Sequence, residues 1–151
     1  MEGFFGTVNL QADEKGRYRI PSKYRNKLGN KEDTLFLMRN GSPYLSIMSA
    51  KKSEEIISKL TPLISIFDNE NSAKVRAILA NMCEIKEDSQ GRFTLPQDIR
   101  EELGFGKEVV FIGMGQKVEM WNKATYDEIN NKAMKNLSKE NNFPNEIDLT
   151  F

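Results

Sequence analysis

Histidine is absent from the 151 residues, cysteine occurs once, and the 22 Lys and Arg are matched by 22 Asp and Glu. Without imidazole, every mechanism that uses histidine as a base or a metal ligand is excluded. The lone Cys83 excludes a disulfide within the chain, and its expected place is the core, where a thiol packs as a small hydrophobe. Zero net charge removes any global attraction to nucleic acid, so such a partner would have to be held by uneven placement of charge. The opening "MEGFFGTV" has no positively charged region of the secretory type, and no apolar run approaches the roughly 20 residues of a membrane span. The expectation is a soluble, cytoplasmic protein with no membrane partner.

What the chain does contain is a phrase written twice. "DEKGRYRIPSKYRNKLG" begins at Asp13 and "DSQGRFTLPQDIREELG" at Asp88, an offset of 75. Asp13, Gly16, Arg17, Pro21, Arg25, Leu28 and Gly29 then fall on Asp88, Gly91, Arg92, Pro96, Arg100, Leu103 and Gly104. Upstream, Val8 and Leu10 match Cys83 and Ile85, two alternating positions of a half-buried strand. Downstream, "TLFLMRNGSPYLSIM" matches "VVFIGMGQKVEMW" if the second hairpin loop is shorter by two residues, which places Ser49 and Asn122 as helix N-caps.

Each copy reads as strand, Asp-x-x-Gly turn, strand, proline-started short helix, and a two-stranded hairpin. Four short strands and a short helix cannot enclose a core, but two copies that interleave their hairpins can. The expected fold is therefore α+β and β-dominated: tandem modules at 5–50 and 82–125 that pair within one chain, a helical connector at 51–81, and a helix and tail at 126–151. Within the connector, Val75, Ile78, Leu79 and Met82 form an apolar face, either for packing on the sheet or for a subunit contact. The residues from Ser138 onward read as a loose tail.

Three candidate sites compete. Gly113–Gly115, "GMG", superficially matches a phosphate loop, but it lies inside a hairpin and reads as a turn. Asp13 and Asp88 could be paired carboxylates, although an Asp that opens such a turn ordinarily accepts backbone N–H groups. The third is basic: the span Asp13–Lys31 carries a net +5 while Asp88–Gly106 carries −2. A solvated face would account for charge alone. Lys15, Arg17 and Arg19, however, alternate along one strand and point to a common side, as a ribbon entering a DNA major groove would require.

"VNLQADEKGRYRIPSKYR", "DSQGRFTLPQDIRE" and "KEVVFIGMGQKVEMWN", in that order, resemble the MraZ family of bacterial transcriptional regulators. The likeness runs from about Phe5 to Tyr126, and its most specific part is the doubled Asp-x-x-x-Arg motif. It implies two AbrB-like swapped-hairpin modules and a ring of subunits. It also implies recognition of short DNA repeats ahead of a cell-division and cell-wall gene cluster, in the cytoplasm and nucleoid. Departures from a symmetric pattern are the acidic second helix and the Lys/Asn-rich end. The residues expected at DNA are Lys15, Arg17, Arg19, Lys23, Arg25, Arg92 and Arg100, with Asp13, Gly16, Asp88 and Gly91 forming the turns. No cofactor, metal or catalytic role is expected. The rival classes are an antitoxin-type protein-interaction module and an architectural ring that binds nucleic acid without sequence preference.

Overall fold

Thr7–Gln11 (β1) alternates half-buried Val8 and Leu10 with exposed neighbours, the period-2 pattern of a strand covered on one face. It opens the first copy in a computed structural model that describes residues 3–39, 43–67 and 69–139. Tyr18–Arg19 (β2), Ser22–Arg25 (α1), Leu35–Met38 (β3) and Tyr44–Ser49 (β4) complete that copy. Ala50–Leu60 (α2), a 3-10 turn at Thr61–Leu63 and Asn69–Leu79 (α3) connect it to the second. There Met82–Ile85 (β5), Arg92–Phe93 (β6), Gln97–Leu103 (α4), Glu108–Gly113 (β7) and Val118–Asn122 (β8) repeat the order, and Lys123–Lys139 (α5) follows. The molecule is a mixed α+β structure dominated by antiparallel sheet.

The six-stranded sheet runs β1-β7-β8-β4-β3-β5, so the first strand of each copy pairs with the hairpin of the other. The register locates the length difference between the copies. Leu10 faces Val109 as Ile85 faces Leu35, and Leu35 faces Ser49 as Val109 faces Asn122. One residue is thus lost between α4 and β7 and only one within the second hairpin, where the sequence match had placed both.

The core lies on one face of this sheet. Leu35, Leu37, Leu45, Ile47, Val109, Phe111, Val118 and Met120 point into it and meet Tyr18, Ile20, Tyr24, Phe93, Leu95 and Ile99 from the short strands and helices. Cys83 packs against this cluster half-buried, and burial pushes its thiol up from the usual range. Ser46, Met48, Val110, Glu119 and Trp121 are buried on the opposite face, where α2 packs on β3 and β4 and α5 on β7 and β8. The Glu119 carboxylate is tolerated there because Trp121 Nε1 donates to it at 2.9 Å and Lys117 Nζ stands 3.3 Å away.

Ser49 caps α2 as expected, its hydroxyl accepting from Lys52 N at 3.1 Å. Asn122 also precedes its helix, but its side-chain amide donates to Thr125 Oγ1 at 3.4 Å. The apolar face of the connector is shorter than its periodicity suggests: α3 ends at Leu79, Met82 belongs to β5, and only Val75 is buried on the helix, which packs on the 3-10 turn. α4 closes on Gly104 in the left-handed conformation, φ 68°, whereas α1 ends earlier, at Arg25, and turns through Asn26. Gly113–Gly115 is a turn between β7 and β8, with Met114 N donating to Lys117 O at 2.9 Å. Of the loop Arg39–Pro43, residues 40–42 lie outside the described residues, as do 140–151 of the expected tail. Among the described residues no helix is long and apolar enough to cross a membrane.

Candidate nucleic-acid interface

The repeated turn has the same geometry twice. Asp13 N donates to Arg17 O at 3.0 Å and Gly16 N to Asp13 O at 3.0 Å; Asp88 N donates to Arg92 O at 2.8 Å and Gly91 N to Asp88 O at 3.0 Å. The chain reverses through Gly16 and Gly91 at φ 74° and 77°, a region glycine enters without the steric cost of a Cβ. Each aspartate organises its own turn. Asp13 Oδ1 accepts from Lys15 N and Arg17 N, both at 2.9 Å, and Oδ2 holds Arg17 Nε at 2.7 Å. Asp88 does the same with Gln90 N, Arg92 N and Arg92 Nε, all at 2.9 Å. The second carboxylate oxygen therefore fixes the direction in which each arginine leaves the turn.

β2 and β6 pair antiparallel, Tyr18 opposite Phe93 and Arg19 opposite Arg92, which sets the two turns side by side. Tyr18 and Phe93 point inward and pack with ring centroids 6.1 Å apart, and the Tyr18 hydroxyl donates to Gly106 O at 2.6 Å. This buried aromatic layer leaves the intervening residues outward. Arg17 reaches across the seam, its Nη1 3.8 Å from Asp88 Oδ2, so one guanidinium lies between both aspartates. The first ribbon presents Lys15, Arg17 and Arg19; the matching positions of the second carry Gln90, Arg92 and Thr94. A joint surface with cations concentrated on one half results.

The remaining expected contacts separate by environment. Lys23, exposed on α1, holds its ammonium 5.0 Å from the Tyr24 ring centroid and 5.7 Å from that of Phe5. Arg25 is enclosed: its Nη2 is 3.1 Å from Glu87 Oε1, with side-chain exposures of 13% and 16%. The same nitrogen donates to the carbonyls of Asn30, Lys31 and Asp33, all at 3.2 Å. Arg100 runs beneath the first turn, with its Nε buried. Sequence reading placed both copies of the motif but not their adjacency, and it gave no role to Glu87. The offset of 75 does put Glu87 opposite Ala12, so that asymmetry was visible without a structure.

The two aspartates do converge on one guanidinium, yet a catalytic dyad needs one carboxyl held protonated by an unusually high pKa. Here backbone donation from Arg17 and from Arg92 holds Asp13 and Asp88, respectively, below the usual carboxylate range. A depressed folded-state value contributes stability that is fully present above the unfolded pKa of about 3.9 and is lost as pH falls through the folded one. In a carbon-detected NMR titration, the Asp13 and Asp88 carboxyls should therefore titrate below the usual aspartate range, and turn amide shifts should hold until they do. Titration at the ordinary aspartate value would show that these hydrogen bonds do not form in solution.

The sequence is similar to known proteins. The family model of the MraZ protein, whose description adds a likeness to antitoxins, matches residues 78–148. A protein of Mesoplasma florum named transcriptional regulator MraZ is 34% identical over 128 residues, 85% of this chain and 86% of its own. One of the same name from Carboxydothermus hydrogenoformans is 31% identical over 130 residues, 86% and 88% of the two chains. A third, from Nitrosomonas eutropha, is 35% identical over 125 residues, 82% and 84%.

Proposed function

The chain belongs to the MraZ family, and from that premise we propose that it regulates transcription by binding double-stranded DNA through the paired turns. The observation that carries this is the β2–β6 pairing, which gathers Lys15, Arg17, Arg19 and Arg92 on one outward strip of a neutral protein. A two-stranded ribbon of this kind fits a major groove, where Arg reaches guanine O6 and N7. Arg25 and Arg100, enclosed below the turns, support the strip and do not touch bases. The exchange of strand partners between the copies supports an AbrB-like swapped-hairpin arrangement. The targets are short repeats ahead of a cell-division gene cluster, and the protein acts at the nucleoid.

A homo-oligomeric ring fits the connector, where Ile66 and Phe67 are 85% and 91% exposed. Side chains that apolar and that open mark a contact surface. A ring would present the turns at intervals, so repeats in one orientation spaced near one helical turn should be bound together. Linkage of this kind raises affinity by roughly 10²–10⁴.

Selection from random duplexes, followed by fluorescence anisotropy on the selected site, tests the proposal. Binding should fall with salt at a slope of about −0.9 per phosphate neutralised. Inserting about five base pairs between repeats should cost far more than inserting about ten, because half a turn moves one repeat to the opposite side of B-DNA. Salt-independent affinity, or equal effects of both insertions, would overturn it. Failure to enrich any sequence would favour either the architectural ring or the antitoxin-type interaction module that the family description suggests.

A further inference from the structure

The two copies differ beneath their turns. Arg25 and Arg100 occupy matching positions, each under the turn of the other copy: Arg25 in a cleft with Asp88–Gly91, Arg100 in one with Asp13, Glu14 and Gly16. Arg25 is neutralised there. Its Nε donates to both oxygens of Glu87 at 3.2 Å, a two-oxygen clasp suited to a carboxylate. At the position matching Glu87 the first copy has Ala12, 7% exposed, whose methyl group offers nothing to a guanidinium.

Arg100 is left with a buried Nε that has no hydrogen-bond partner among the described residues, and its Nη1 comes within 3.7 Å of where a Gly16 side chain would begin. Arg25 also buries an unpartnered nitrogen, Nη1, but its charge is compensated. The carboxylates that line the cleft do not fill the gap: Asp13 is engaged by Arg17 and two backbone amides, and Glu14 lies exposed on the turn. Lys107 adds a second positive charge to the lining. The cleft measures about 560 Å³ and is walled by Tyr18 and Phe105. A partly buried guanidinium with no ion pair of its own among the described residues is costly, and an anion that enters this space offsets the cost.

We propose that this cleft binds a small organic carboxylate, whose carboxyl group neutralises Arg100 from the Nη1 side, beneath Gly16, as Glu87 neutralises Arg25. Carboxylate chemistry is specified by the internal template: the equivalent guanidinium, Arg25 of the other copy, is already satisfied by one. The volume leaves room for a ligand body larger than a glutamate side chain. Such a ligand sits directly below Gly16 and Asp13 and so touches the outward-facing turn from behind.

Propionate, which reproduces the glutamate side chain beyond Cα, is the probe. It is titrated into the full chain without DNA, at constant ionic strength against chloride, while arginine Nε–Hε NMR signals are followed. One saturable shift at Arg100 is expected. Ala12→Glu should supply the missing carboxylate internally and raise the apparent dissociation constant about tenfold or more, as loss of a charge-assisted hydrogen bond implies. Glu87→Ala should open a second saturable site at Arg25, which keeps the proposal testable should Ala12→Glu not fold. No saturation in the native chain, an unchanged Ala12→Glu titration, or saturation by inorganic phosphate but not propionate would each overturn it. Because no DNA is present, these outcomes are independent of the regulator proposal.

Discussion

Arg17→Ala should weaken binding to the selected duplex by about 1–3 kcal/mol, roughly five- to 150-fold, while Arg92→Ala loses distinctly less. The difference follows from position. Arg17 lies between Asp13 and Asp88, at 2.7 and 3.8 Å, and stands among Lys15 and Arg19. Removing it deletes a donor and also leaves Asp13 facing phosphate with no guanidinium, while Asp88 keeps only Arg92. Arg92 engages Asp88 alone, at 2.9 Å, and its strand neighbours Gln90 and Thr94 carry no charge to lose. The turn itself should survive either change, since Asp13 and Asp88 still accept their backbone N–H groups. Anisotropy titrations of both variants, with circular dichroism to verify folding, check this. Equal losses would contradict the proposed asymmetry of the strip.

Gly113→Ala should be the most destabilising single-methyl addition in the second hairpin. A Cβ at Gly113 would overlap Phe5 N and stand 2.5 Å from Phe4 C, both backbone, so no rotamer change can relieve the clash. Either β7 must shift or the segment at Phe4 and Phe5 must detach. Detachment breaks the bridge in which Phe4 N donates to Gly115 O and Gly115 N to Phe4 O, both at 2.8 Å, and uncovers Phe4 from its edge contact with Tyr24. Overpacking of this kind costs about 1–3 kcal/mol, and loss of a buried aromatic about as much again. The thermal midpoint should fall by roughly 5–15 °C, at about 2–4 °C per kcal/mol for a chain of this size. Gly115→Ala is the control. Its φ of 77° imposes only the left-handed strain of about 1–2 kcal/mol, because among the described residues no atom beyond its chain neighbours lies within 4 Å of the new methyl group. Equal midpoints for the two variants would show that the segment at Phe4 does not pack as described.

The sequence alone determined the parts that depend on local chemistry. Asp-x-x-Gly specifies a turn because the aspartate oxygens reach amides only a few residues ahead and glycine supplies the positive φ, and both turns form that way. Alternation at Val8 and Leu10, the cap at Ser49 and the inward Tyr18 and Phe93 follow from strand periodicity and orphan helix donors, which any short window reveals. Repetition at an offset of 75 also identified Arg17 and Arg92 as equivalents.

Only the tertiary structure decided what those equivalents do together. The β2–β6 pairing joins residues far apart in the chain, and it places Arg17 between two aspartates because the strands are short and the turns flank them directly. Burial separates chemically identical arginines: Arg17 stands at the surface while Arg25 is enclosed by Glu87 and three carbonyls, a distinction no charge count contains. The Gly113 requirement arises where the backbone of Phe4 and Phe5 passes, and the unmatched Arg100 where a methyl stands in a carboxylate's place. Local motifs fix conformation through atoms a few bonds away. The environment that sets a side chain's role comes from segments brought near only when the sheet closes.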